Sequence, residues 1–84
     1  MQLGVYSFEK VLFQGEASEV NCNTERGEIT ILNHHAPLIS ILAKGTMKII
    51  DNEKKAHYIP VSGGFLEVRS GNQARILVEE AATR

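Results

Sequence analysis

Short apolar runs, each ended by a turn-forming residue, are the feature of this sequence that most restricts its fold. From Leu3 to Val78 these runs alternate with polar residues, and glycine, proline, asparagine and aspartate separate them. No stretch approaches the roughly 20 apolar residues of a membrane helix. The pattern predicts about eight short strands without a long helix, packed as an antiparallel sandwich or a small barrel.

Length and charge narrow the class of protein. The chain has 84 residues, which suits one domain. Nine basic and ten acidic residues give a formal charge of -1, which disfavours non-specific binding to nucleic acid or to an anionic membrane surface. The segment Met1–Lys10 lacks the charged start and long apolar run of a secretory signal. The single cysteine, Cys22, excludes an intrachain disulfide, and we expect it to be a buried apolar side chain.

Two segments carry clear strand patterns. In Gly27–Leu32, Ile29 and Ile31 share one face, so Glu28 should lie on the outer face. The apolar run Leu38–Ala43 suits a short helix or a buried strand, and its β-branched residues favour the strand.

Turn chemistry predicts the remaining elements. Asp51–Asn52 should join Thr46–Ile50 to Ala56–Ile59 as a hairpin, and Gly63–Gly64 should form a bulge or tight turn. The exit segment 79–84 is too short to hold a helix alone, and we expect it to fray. Four aromatic residues are dispersed along the chain with few Arg and Lys beside them, which does not suit a nucleic-acid platform. We interpret them as core residues, with Tyr58 half exposed: Phe8, Phe13, Tyr58 and Phe65.

The histidines raise the alternative of a metal site. His34, His35 and His57 are candidate ligands, with Glu28 as a fourth. Adjacent residues of an extended chain point to opposite sides, so His34 and His35 cannot both reach one ion unless the loop turns sharply. Loop histidines at an interface or in solvent are the favoured interpretation.

A hydrolytic triad is also conceivable by residue type alone, from Ser62, His57 and Asp51. No nucleophile-elbow sequence surrounds Ser62, and Gly63–Gly64 lacks the helix and lysine of a phosphate-binding loop. Catalysis is therefore disfavoured.

Several segments, in matching order and spacing, resemble the N-terminal domain of the ATP synthase ε chain family. The likeness covers nearly the whole chain. The segments are Ser7–Glu16, Gly27–Leu32, His35–Leu38, Lys44–Gly45, Val61–Val68 and Ile76–Ala81.

The resemblance implies a flattened sandwich of two antiparallel sheets with about eight to ten short strands. It also implies a non-enzymatic, cofactor-free central-stalk subunit that couples the γ subunit to the polar loops of the membrane c-ring during proton- or sodium-driven ATP synthesis. The catalytic sites would lie on other subunits. The chain would sit peripherally at the cytoplasmic face of the energy-transducing membrane, without lipid insertion.

Residue by residue, the resemblance places Glu28 and His35 at the c-ring. The positions that align with or flank the γ contact are Ser7, Ala36, Leu38, Ser40 and Leu42.

Two departures from the family pattern matter. Asn33–His34 stands where the family usually has proline and a small or turn residue. Longer family members continue into a two-helix domain that restrains ATP hydrolysis and in some members binds ATP, whereas this sequence ends at Arg84. We therefore expect no ATP binding and no helix-based inhibition from these residues. A small metal-dependent β-barrel enzyme and a free-standing β-sandwich adaptor remain the alternative functions.

Overall fold

The structure, a computed structural model, describes residues 1–80 and is built of strands throughout. Within these residues there is no helix, and hence none long and apolar enough to cross a membrane. The predicted all-β class is confirmed. The strands are β1 Gln2–Tyr6, β2 Val11–Thr24, β3 Gly27–Leu32, β4 Leu38–Leu42, β5 Gly45–Asp51, β6 Ala56–Arg69 and β7 Gln73–Glu80.

Two long strands explain why seven strands are present where about eight to ten were expected. Strands β2 and β6 have 14 residues each. The sequence predicted a bulge or tight turn at Gly63–Gly64; β6 continues through these glycines, and β2 continues through Gly15. Their registers shift between Ala17 and Glu19 and between Val61 and Gly63, so the strands bend instead of ending. The predicted bulge is confirmed, with Ser62 as its extra residue.

Strands β2 and β6 also join the two layers of the sandwich. One layer contains β4, the second half of β6, β7, β1 and the first half of β2; the other contains β3, the second half of β2, β5 and the first half of β6. Strand β3 pairs only with β2 and is an edge. The pair β1–β7 is parallel, which departs from the expected antiparallel sandwich. These strands come from opposite ends of the described chain, so no hairpin fixes their direction.

The core lies between the layers. Its largest fully buried side chains are Ile31, Met47, Ile49, Leu66, Ile76, Val5 and Val20. Cys22 is buried as expected, and burial raises the pKa of its thiol to about 11, so the thiol stays protonated and unreactive at neutral pH.

The predicted local elements mostly hold. Gly27–Leu32 is a strand with Ile31 buried and Glu28 exposed, and the segment from Leu38 is a strand as far as Leu42. The predicted hairpin joins β5 to β6. Of the predicted exit segment, residues 79 and 80 end β7, and residues 81–84, with their predicted fraying, lie outside the described residues.

Candidate interaction surfaces

A continuous line of apolar side chains crosses the outer face of the first layer. Neighbouring strands place its members side by side, because Ile41 pairs with Phe65, Phe65 with Leu77, Leu77 with Tyr6, and Tyr6 with Val11. We call these five residues the apolar row. It spans five strands, or about 19 Å at the usual spacing between strands.

The apolar row is open to solvent. The exposed fractions are 47% for Ile41, 54% for Phe65, 50% for Leu77 and 54% for Val11. Two further apolar side chains flank the row, since Ile39 is 75% exposed and Phe8 is 99% exposed. Contiguous exposed apolar surface of this kind is typical of sites where another molecule binds.

Two of the four aromatic residues, Phe8 and Phe65, were wrongly assigned to the core, whereas Phe13 packs against it and Tyr58 was expected to be half exposed. Phe8, Phe65 and Tyr58 are exposed, and Phe13 is half-buried at the edge of the core. The physical reason is strand alternation, because Phe65 points outwards from the same strand that buries Leu66.

The turn between β1 and β2 holds Phe8 at its tip. The Ser7 backbone N–H donates to the Lys10 carbonyl oxygen at 2.8 Å. The Ser7 hydroxyl oxygen accepts from the N–H groups of Glu9 and Lys10, at 3.3 and 3.1 Å. Ser7 therefore fixes the turn that brings Phe8 beside Ile41, Phe65 and Leu77, where these side chains line one shallow cleft.

Gly64 allows β6 and β7 to approach closely beneath the apolar row. Its φ is +142°, and a Cβ atom there would overlap the carbonyl oxygen of Leu77. Its neighbour Gly63 is different, since a Cβ there would meet its nearest atom, on the Glu79 side chain, at 3.6 Å. Only Gly64 is required by this packing.

The outer face of the second layer is polar. Neighbouring strands align Thr30, Asn21, Lys48 and Tyr58 across it. The Asn21 side-chain amide donates to Glu28 Oε2 and to Thr30 Oγ1, both at 2.9 Å. Three polar side chains of this face, those of Asn21, Glu28 and Thr30, thus satisfy one another within the chain.

Glu28 and His35, which the resemblance aligned with the c-ring contact, are well separated along the chain. Glu28 is near the start of β3, and His35 follows its end. The His35 N–H donates to the Leu32 carbonyl oxygen at 3.3 Å, and its Nδ1 lies 2.7 Å from the Ala36 carbonyl oxygen. The structure does not bring the two side chains together, since one lies on β3 and the other in the loop that follows it.

The positions that the resemblance aligned with the γ contact differ in how exposed they are. Ser7 adjoins the apolar row, and Ala36 is exposed in the loop before β4. In β4, Leu38 and Ser40 are half-buried, and Leu42 is 4% exposed in the core. The outward side chains of this strand are instead Ile39 and Ile41. Sequence reasoning missed them as surface residues, because alternation with the polar Ser40 would place Ser40 outside and both isoleucines inside.

The histidines are not gathered into a metal site. No three His, Cys, Asp or Glu side chains of residues 1–80 are grouped so that they could hold an ion. His34 has a positive φ of 63°, and its N–H donates to Asn72 Oδ1 at 2.7 Å, which fixes the unusual turn at Asn33–His34. His57 lies on β6, away from that loop.

Two members of the conceivable triad do meet. His57 Nε2 donates to Asp51 Oδ2 at 2.8 Å, and the His57 ring packs edge-on against Phe13. The hydrogen bond from His57, followed by that from the Lys55 N–H, holds the pKa of the Asp51 carboxyl below its ordinary value.

Ser62 lies apart from this pair. It is five residues further along β6, or about 16 Å in an extended strand. Its hydroxyl donates to the Glu80 carbonyl oxygen at 3.3 Å. The Asp51–His57 pair therefore braces the β5–β6 hairpin, and Ser62 does not complete a triad with it.

Comparison with known sequences identifies the family. Residues 1–84 match the family described as ATP synthase, Delta/Epsilon chain, beta-sandwich domain. The chain belongs to this family. The ATP synthase epsilon chain of Dichelobacter nodosus is 38% identical over 81 residues, covering 96% of this chain and 56% of the relative. That of Bordetella petrii is 44% identical over 71 residues, covering 84% of this chain and 50% of the relative. This ε-family chain thus spans about half the length of these relatives.

Solved structures share the fold. A chain of the Euglena gracilis mitochondrial ATP synthase, in a structure of OSCP, F1 and the c-ring, superposes with a TM-score of 0.89 at 23% identity. The match covers 98% of this chain and 52% of that one. A chain of the Tetrahymena thermophila central stalk and c-ring gives a TM-score of 0.82 at 19% identity, covering 95% and 63%. These likenesses confirm the β-sandwich of the ε family.

Proposed function

We propose that this chain is a non-catalytic central-stalk subunit that couples the γ subunit to the membrane c-ring during ion-driven ATP synthesis. The observation that carries the proposal is the exposed apolar row on a domain of the ATP synthase ε family. Both similar solved chains come from ATP synthase assemblies that include the c-ring, which supports the same setting for this chain.

In this proposal the apolar row faces γ. Covering apolar surface is favourable by about 25 cal/mol per Å², so a row of half-exposed side chains is a strong attachment point. Ser7 contributes by fixing the turn that presents Phe8. Strand β4 contributes by presenting Ile39 and Ile41 to γ, while its residues Leu38, Ser40 and Leu42 hold the strand against the core. Ala36 lies in the loop just before this strand.

The β3 edge faces the polar loops of the c-ring. Glu28 lies near the start of β3 and His35 in the loop after it, so the proposed contact runs along the length of the strand. Glu28 is held in place by Asn21 at 2.9 Å, which lowers the conformational entropy lost on binding. The contact is polar and peripheral, at the cytoplasmic face of the membrane.

No catalytic role is proposed for the chain. Ser62 lies apart from its carboxylate–imidazole pair, and the catalytic sites belong to other subunits in this proposal. ATP binding by residues 1–84 is not expected either, and calorimetry that detects millimolar or tighter binding would contradict this expectation.

Size-exclusion co-elution with the γ subunit of the same source, with and without c-ring, tests the proposal. The chain should co-elute with γ. Phe65→Ser should abolish co-elution, whereas Tyr58→Ser should not, because Tyr58 lies on the opposite face of the same strand and is 63% exposed. Separate elution of the wild-type chain and folded γ would favour the adaptor function instead.

A charge reversal tests the c-ring side. Glu28→Lys should weaken attachment of the chain–γ complex to the c-ring at least about tenfold, because an exposed carboxylate is replaced by a like-sized cation without loss of core packing. Glu53→Lys, at the exposed β5–β6 turn, is the control. Unchanged attachment, or unfolding of Glu28→Lys, would show that Glu28 is misplaced.

A further inference from the structure

A polar cleft lies directly beside the apolar row, and the proposed coupling function does not use it. We call it the arginine cleft. Its volume is about 200 Å³, and it lies over β1 and β7. The polar side chains that line it are Gln2, Tyr6, Gln14, Arg69, Gln73 and Arg75.

The backbone shapes this cleft. Gly4 and Gly15 lie in its floor, where the absence of side chains lets the surface dip. The Tyr6 ring lies over Gly4, since a Cβ atom at Gly4 would overlap it. Tyr6 thus belongs to the apolar row by position and forms one wall of the cleft with its ring.

The cleft holds one uncompensated positive charge. Arg69 Nε lies 3.6 Å from Glu67 Oε2, so these two charges offset one another. Arg75 is exposed and has no ion-pair partner within residues 1–80. The glutamine side chains around it add amide donors without adding negative charge.

Arg75 and the apolar row are rigidly related. Arg75 and Leu77 are two residues apart on β7 and point to the same side, about 7 Å apart along the strand. Arg75 is aligned with Gly4 on one side and with Glu67 on the other. A molecule that covers Leu77 and Phe65 therefore reaches the arginine cleft without a gap.

We propose that the arginine cleft receives a carboxylate side chain of the same γ segment that covers the apolar row. This inference rests on the proposed function and adds the charge pattern of the partner: an apolar stripe about 19 Å long with an acidic residue on one flank. A guanidinium binds a carboxylate through two parallel N–H donors, so the pair fixes the orientation of the segment as well as adding affinity.

A single carboxylate fits better than a polyanion. Glu67, beside the cleft, repels a chain of phosphates, and the formal charge of the whole chain is -1. One acidic side chain needs only the one arginine that lacks an ion pair.

The test is the affinity for γ of Arg75→Met, which keeps a long apolar stem and removes the charge. We expect binding at least about tenfold weaker than wild type, and a flatter dependence of affinity on salt, since a desolvated charge pair is lost. Lys48→Met, on the polar outer face, is the matched control and should bind like wild type. Urea midpoints of both variants report whether the fold is kept.

The outcomes separate the two proposals. If wild type binds γ and Phe65→Ser does not, but Arg75→Met binds with wild-type affinity and salt dependence, the carboxylate contact is wrong and the coupling function stands. If wild type itself does not bind folded γ, the proposed function fails and this inference fails with it. A loss for Arg75→Met with unchanged salt dependence would show that the effect does not come from charge and would overturn the charge pair.

Discussion

The two outer faces of the sandwich differ in the polarity of their side chains. On the second layer, Asn21 bridges Glu28 and Thr30, so the polar groups are satisfied within the chain. On the first layer, the apolar row is left half exposed. Strand β6 contributes to both, with Tyr58 on one face and Phe65 on the other. One face therefore has hydrogen-bonded polar side chains in the isolated chain, which suits a polar contact, whereas the other exposes apolar side chains that only a partner would bury.

The largest effect should come from closing the space beneath the apolar row. Gly64→Ala should lower the free energy of unfolding by about 3 kcal/mol, because a Cβ at φ +142° is strained and overlaps the Leu77 carbonyl oxygen. Urea denaturation followed by circular dichroism measures this. Gly63→Ala, with its nearest contact at 3.6 Å, is the control and should cost less than about 1 kcal/mol. Equal losses in the two variants would show that β6 and β7 are not so closely packed there.

A smaller difference should separate the two faces in the free chain. Asn21→Ala should cost about 1 kcal/mol, because it removes two side-chain hydrogen bonds at the surface. Ile39→Thr should stay within about 0.5 kcal/mol, since Ile39 is 75% exposed and the replacement keeps β-branching. Urea midpoints check both. A larger loss of stability for Ile39→Thr than for Asn21→Ala would contradict the distinction between the hydrogen-bonded polar face and the exposed apolar face.

The smallest effect concerns the β5–β6 hairpin and depends on pH. Because the folded-state pKa of Asp51 is lowered, its contribution to stability is fully present above its unfolded pKa of about 3.9 and is lost as pH falls through the lower folded value. Asp51→Asn should therefore be slightly less stable than wild type at pH 7, and the two should converge in strong acid. Thermal unfolding from pH 7 down to pH 2 measures the gap, with Glu53→Gln as the control. A gap that widens on acidification would reverse the assigned sign.

Alternation alone was enough to predict β3. Ile29 and Ile31 alternate with polar residues without interruption, so the exposure of Glu28 followed from the sequence. Strand β6 was different. Ile59 and Val61 point inwards, and continuing that alternation wrongly places Phe65 in the core. The extra residue at Ser62 reverses the alternation, so Leu66 and Val68 point inwards instead.

The apolar row was beyond sequence reasoning for a second reason. Its continuity depends on the parallel pairing of Tyr6 with Leu77, which joins strands from opposite ends of the described chain. No local turn signal encodes that pairing. The Asp51–His57 contact likewise needed coordinates, although its hairpin was predicted.

The sharing of β2 and β6 between the layers has a mechanical consequence. In a sandwich whose sheets touch only through side chains, a sideways force on one sheet is resisted by dispersion contacts that slide at small displacement. Here two covalent backbones cross from one sheet to the other, at the register shifts near Ala17 and Ser62. A sideways force on the sheet that carries Phe65 is therefore transmitted along the peptide bonds of β2 and β6 to the sheet that carries Glu28. Shear of one sheet over the other requires these two backbones to stretch.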